Sequence, residues 1–110
     1  MKALISGIAG FLGSHLADEC TKRGWEIVGV DNFFRGKREN LDMNPGVKII
    51  EIDISNELGE FSRIIRQEKP DVIFHYGAIN GTEYFYESPW EVIENNTSAT
   101  LNLLKAIGES

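Results

Sequence analysis

Apolar residues alternate along this chain between two rhythms, short unbroken runs and longer stretches spaced by three and four. Runs at residues 3–5, 25–30, 47–51 and 71–75 predict strands. Between them the helical rhythm predicts three helices. The first starts near Phe11, carries Leu12, Leu16 and Cys20 on one face and stops at Gly24. The second turns Leu58, Phe61, Ile64 and Ile65 inward and ends before Pro70, because the residue preceding a proline is pushed out of the helical region. The third opens on Ser88-Pro89-Trp90-Glu91, a capping box with proline in its first position, and turns Val92, Ala99, Leu103 and Ile107 inward. Asn44-Pro45-Gly46 is the turn into the third strand, which is followed by Asp53-Ile54. The continuous apolar centre of 71–75 suits a parallel strand covered on both faces.

Strands alternating with helices, without linkers, repeats or low complexity, make an α/β fold. Right-handed crossovers place the strands in the order 3-2-1-4, with the switch point between strands 1 and 4 and a ligand across their carboxyl ends. The expected architecture is a Rossmann-type parallel sheet with helices on both faces, truncated to about four strands, and residues 1–110 form a single domain.

The first strand runs into glycines at Gly7, Gly10 and Gly13, and Asp31 closes the second strand eighteen residues beyond Gly13. This order is that of a phosphate-binding turn. One glycine lets the backbone turn sharply, a second lets it approach a pyrophosphate and a third lets the helix pack closely on the strand, while the amides at the helix N-terminus face the phosphates. Glycines at this spacing also form tight turns that hold no ligand; the strand, helix, strand and terminal acid around them favour dinucleotide binding. A carboxylate at Asp31 can accept both hydroxyls of an adenosine ribose and would repel a 2′-phosphate, which favours NAD over NADP. Arg35, Lys37 and Arg38 leave a 2′-phosphate site as the alternative, although a basic cluster after a strand is usually a solvated loop.

Composition adds exclusions. The 110 residues are 42% hydrophobic and 25% charged, ordinary for a globular protein, and the formal net charge of −6 disfavours a nucleic-acid or anionic-membrane partner. Cys20 has no second cysteine to pair with, and with no secretory signal or long apolar segment the expected compartment is the cytoplasm. His15, His75 and Cys20 lack metal-ligand spacing, so no metal site is expected. Asp18, Glu19, Glu51, Asp53 and Glu57 sit on separate elements, which suits solvated or capping roles better than paired catalysis. Asn95 and Asn96 fall on or beside the third helix's apolar stripe, where one amide can tie the helix to a neighbouring strand or brace a cofactor pocket.

Residues 6–16, Val30-Asp31-Asn32, Asp53-Ile54, His75-Tyr76-Gly77-Ala78 and residues 96–104 together resemble the extended short-chain dehydrogenase/reductase family, closest to its NAD-dependent nucleotide-sugar epimerases and dehydratases. Ser6, Gly77, Thr97 and Ala99 stand where threonine, alanine, valine and glycine are usual, none of them a steric obstacle to the cofactor. The resemblance implies that Phe11 and Leu12 offer amides to the pyrophosphate and that Asn32, Phe33, Arg35 and Gly36 line the adenosine beside Asp31. It further implies that Asp53 and Ile54 meet the adenine, that Tyr76, Gly77, Ala78, Ile79 and Asn80 run beside the nicotinamide ribose, and that Asn95 lies close by while Asn96 braces the helix.

In that family a Tyr-x-x-x-Lys pair removes the sugar-hydroxyl proton while NAD takes the hydride. Here Tyr76, Tyr84 and Tyr86 are followed at that distance by Asn80, Ser88 and Trp90. The chain therefore reads as the N-terminal NAD-binding portion of a nucleotide-sugar epimerase or dehydratase, with no catalytic residue of its own, expected to be inactive alone and to meet a nucleotide sugar only in a complete parent protein. A free-standing NAD-binding module and a structural remnant that binds no cofactor remain the alternatives. The open edge of strand 4, and apolar Leu101 and Leu104 beside Leu103, lead us to expect a homodimer.

Overall fold

The computed structural model describes residues 1–33, 37–41, 44, 46–77 and 87–108. Strands β1 (Lys2–Ser6), β2 (Glu26–Asp31), β3 (Lys48–Glu51) and β4 (Val72–His75) form a parallel sheet in the order β3-β2-β1-β4, the order expected from right-handed crossovers. The helices are α1 (Phe11–Lys22), α2 (Leu58–Glu68) and α3 (Pro89–Gly108), and a short 3₁₀ turn spans Arg38–Leu41. Contacts divide the chain into two compact units, one of residues 1–52 and 68–76, the other of residues 53–67 and 77–110.

The first unit holds the sheet. Register places Ile5 beside Gly29 and Phe74, and the next step places Ser6 beside Val30 and His75, so alternate residues face opposite sides. Ile5, Ile8, Ala9, Ala17, Cys20, Ile27, Leu41 and Val47 make a buried cluster against which Leu16, Trp25, Phe33, Ile49 and Phe74 pack. Fully burying a side chain such as Ile5 or Ile8 is worth about 2 kcal/mol. At the N-terminal ends of the strands the Glu68 carboxylate lies between Lys48, at 2.7 Å, and Lys2, at 3.0 Å. Hydrogen bonds from Lys48 and then Lys2 hold its acid below the usual carboxylate range.

In this unit two of the expected burial patterns differ from those observed. In α1 the buried positions are Gly13, Ser14, Ala17 and Cys20, while Leu12 is exposed and Leu16 only partly covered. Small residues take the inner face because α1 lies close against its own turn, and Leu12, in the helix's first turn, projects away. In β4 all four residues are half-buried rather than covered on both faces, as suits a strand that pairs with β1 at one edge of the sheet. The end of α1 follows expectation. The Gly24 amide bonds to the Thr21 carbonyl and the Trp25 amide to the Cys20 carbonyl, both at 3.0 Å, the bonding of a Schellman motif.

In the second unit α2 buries Phe61, Ser62, Ile64 and Ile65, with Leu58 half-buried. In α3 the buried residues are Ala99, Leu103 and Ala106. Ile107, expected inward, is exposed and lies on the side of Leu104, while Ala106 takes the inner place.

Candidate functional site

The glycine turn is fixed by its own backbone. Gly7 has φ +71°, a left-handed conformation that side chains disfavour, and its amide and that of Ile8 both donate to the Val30 carbonyl, at 2.9 and 3.4 Å. The Gly10 amide then donates to the Gly7 carbonyl at 3.1 Å, closing the turn. A Cβ on Gly13 would lie 2.2 Å from the Gly7 oxygen. Only a residue without a side chain lets α1 come this near the turn.

The peptide of Ala9, at the crest of the turn, is held from both sides. Its amide donates to Asp31 Oδ2 at 2.9 Å, and its carbonyl accepts from the Lys37 amide at 3.1 Å and Asn40 Nδ2 at 2.7 Å. Asp31 Oδ1 accepts the Phe33 amide at 2.7 Å. One carboxylate at the end of β2 therefore joins the glycine turn to the chain that follows. Each of its oxygens keeps a further lone pair for another donor.

The α1 N-terminus begins at Gly10 with no side-chain cap and no acidic residue in its first turn. Among the described residues the amides of Phe11 and Leu12 have no acceptor, and both side chains are exposed. Uncapped amides at the positive end of the helix dipole, beside a turn too tight for side chains, fit a pyrophosphate. Asn32 follows Asp31 at the end of β2, and the Tyr76 amide donates to the Ser6 carbonyl at 3.1 Å, which places the partly exposed Tyr76 just past β4.

Ser6 Oγ and His75 Nδ1 are 2.6 Å apart across the β1/β4 register, with Ser6 fully buried. Burial pushes the His75 pKa down, so the neutral ring is the resting form at neutral pH. Cys20 is buried and its thiol is pushed up by desolvation, which leaves it protonated and inert.

In the second unit Asp53 is a local organiser. Oδ1 accepts the Ser55 amide and hydroxyl at 3.0 and 2.6 Å, Oδ2 accepts Asn56 Nδ2 at 2.8 Å, and the Asp53 amide donates to Glu57 Oε2 at 2.8 Å. Ile54 is buried. Asn95 Nδ2 donates to Ser55 Oγ at 3.1 Å, and Asn102 Nδ2 reaches the carbonyls of Ile54 and Ser55 at 2.7 and 3.1 Å. Asn102, which the sequence reading passed over, thus ties α3 to the backbone after β3. Its signal was there: Asn102 lies seven residues beyond Asn95, on the same helical face. Gly77 and Asn96 belong to this unit, and Asn96 is half-buried on α3. Arg35, Gly36, Ala78, Ile79 and Asn80 lie outside the described residues.

The other carboxylates are engaged locally. Asp18 Oδ1 accepts from Asn44, Glu19 pairs with Arg23 and Glu51 with Arg38. Among the described residues no group of three or more His, Cys, Asp or Glu side chains could hold a metal, and no helix is long and apolar enough to cross a membrane.

Residues 3–110 match the family of NAD dependent epimerases and dehydratases. The chain belongs to that family. Within it, the sequence is 40% identical over 106 residues to the UDP-N-acetyl-alpha-D-glucosaminuronate decarboxylase of Bacillus cytotoxicus, covering 96% of this chain and 32% of that protein. It is 31% identical over 110 residues to the UDP-glucose 4-epimerase of Lactobacillus helveticus, covering 100% of this chain and 32% of the relative. The fold aligns with Thermus thermophilus UDP-glucose 4-epimerase, solved in complex with NAD, at a TM-score of 0.87 and 34% identity over 96% of this chain and 33% of that one. The chain spans about a third of the length of these epimerase/dehydratase-family relatives.

Proposed function

We propose that this chain binds NAD at the glycine turn and Asp31, and that it is the cofactor-binding portion of a protein that oxidises a nucleotide sugar, a UDP-sugar by the names of its relatives, in an epimerisation, dehydration or decarboxylation. The observation that carries this reading is the pairing of an uncapped α1 N-terminus with a carboxylate that holds the crest of the same turn. The Rossmann-type fold and the NAD-bound relative support it.

In this reading the amides of Phe11 and Leu12 donate to the pyrophosphate, over the space that Gly7, Gly10 and Gly13 leave open. Asp31 accepts the adenosine ribose hydroxyls, with Asn32, Phe33, Arg35 and Gly36 along the adenosine and Asp53 and Ile54 at the adenine. Tyr76 to Asn80 follow the nicotinamide ribose, with Asn95 nearby and Asn96 bracing α3. Bound NAD supplies the hydride acceptor and donor. Proton transfer from the sugar needs a group that these 110 residues do not provide, so the chain by itself binds without turnover.

We place the protein in the cytoplasm and in the extended short-chain dehydrogenase/reductase family, with no nucleic-acid or membrane partner. We also infer that it is a homodimer through the exposed apolar side of α3, where Trp90, Ile93, Leu101, Leu104 and Ile107 lie. Calorimetric titration with NAD and with UDP-glucose tests the cofactor reading. Heat of binding with NAD and no product from the sugar supports it, and silence with NAD contradicts it.

A further inference from the structure

Four residues around the carboxyl ends of β2 and β3 are linked by three contacts and one strand pairing. Asp31 and Glu51 are register partners on adjacent strands. Glu51 Oε1 accepts from Arg38 at 2.7 Å, the Arg38 guanidinium lies over the Phe33 ring at 4.1 Å from its centre, and the Phe33 amide returns to Asp31 Oδ1 at 2.7 Å. Phe33 is in the left-handed conformation, φ 61°, which a residue of this size adopts only when its surroundings hold it there. The guanidinium and the Asp31 carboxylate thus both contact one residue, Phe33, through its ring and its amide, and the guanidinium also contacts Glu51.

We propose that Glu51 is a second determinant of cofactor choice, acting through Arg38 to reject a 2′-phosphate. The proposal rests on the reading of Asp31 as the ribose acceptor. An arginine close behind the second strand is the group that ordinarily accommodates the 2′-phosphate of NADP, because its planar fork matches phosphate oxygens. Here Glu51 Oε1 accepts from one nitrogen of that fork, Nη2, and the aromatic face of Phe33 lies against the guanidinium. Glu51 also sets a second negative charge beside Asp31, so the three ionised groups Asp31, Glu51 and Arg38 carry one net negative charge where a dianionic phosphate would have to sit. Sequence alone left Arg38 as a possible phosphate ligand. The structure assigns it a partner that competes with a phosphate for it.

The experiment is calorimetric titration of the full chain with NAD and with NADP, before and after substitution, read as the ratio of the two dissociation constants. Glu51→Gln removes the charge and frees Arg38, and the NADP-to-NAD ratio of dissociation constants is expected to fall about fivefold, the scale of one exposed ion pair. Glu51→Asp keeps the charge and retains the starting ratio. Adding Arg38→Gln to Glu51→Gln is expected to restore most of the lost discrimination. A ratio that Glu51→Gln leaves unchanged overturns the proposal, and so does a fall that persists when Arg38 is also replaced. Failure of the unsubstituted chain to bind NAD would instead count against the parent reading of the site.

Discussion

Asp31 reaches back across twenty-two positions of sequence to hold the Ala9 amide at 2.9 Å. The carboxylate proposed to select the ribose is therefore also a strut of the phosphate turn, and the two roles come apart on substitution. Asp31→Asn keeps one acceptor oxygen for one of the two amides, whereas Asp31→Ala leaves both without a partner. Denaturant unfolding is expected to show a loss of about 1–2 kcal/mol for the alanine and roughly half that for the asparagine.

Two glycines in helices give opposite expectations. Gly13→Ala puts a methyl group 2.2 Å from the Gly7 carbonyl oxygen, a backbone atom that cannot step aside without moving the turn. A loss of about 3 kcal/mol, the upper end for overpacking, is expected. Gly59, in α2, has nothing within 4 Å of the added Cβ, so Gly59→Ala is expected to gain roughly 0.5–1 kcal/mol from backbone entropy. Urea midpoints of the two variants check both signs.

His75 gives the fold a pH dependence. Its folded value lies below the ordinary 6.5 because burial disfavours the charged ring. A base whose pKa is depressed by folding binds fewer protons folded than unfolded, so its contribution to stability is present above pH 6.5 and is lost as pH falls through the folded pKa. Glu68, whose constant is also lowered, adds a second loss below its ordinary 4.5. Stability measured from pH 8 to 4 is expected to decline first below pH 6.5, and His75→Gln is expected to flatten that first decline while leaving the second.

How much of this was legible in the sequence depended on what each residue had to satisfy. The glycine turn and Asp31 were readable because steric and electrostatic demands there admit few residue types. Helix faces were less so. At Leu12 hydrophobicity pointed inward, but close approach to the turn favours the small Gly13 and Ala17. At Ile107 the helical rhythm pointed inward, but the neighbouring Ala106 takes the buried place. Asn102 was hidden because its partners are main-chain carbonyls after β3, which carry no residue-type signature.

Asn102→Ala leaves the Ile54 and Ser55 carbonyls without this donor and is expected to lower stability by about 1–2 kcal/mol. Asn102→Asp is expected to cost more, because it sets a carboxylate against two carbonyl oxygens. Chemical denaturation of both variants orders them.

The exposed residues of α3 bear on assembly. Leu104 is 60% exposed, so Leu104→Glu costs the folded monomer little. Sedimentation over a concentration series is expected to show a dimer for the unsubstituted chain and a monomer for Leu104→Glu. A monomer at every concentration of the unsubstituted chain would count against the homodimer.

The turn from Gly7 to Gly13 and the Asp31 carboxylate are proposed to form a binding site for NAD. The most direct test is calorimetric titration of the folded chain and of Asp31→Ala with NAD. Saturable binding at one site per chain, weakened by about 1.5–3 kcal/mol in the variant as befits a lost charge-assisted hydrogen bond, is the predicted result. Equal affinity in the two proteins, or no binding in either, would contradict the account.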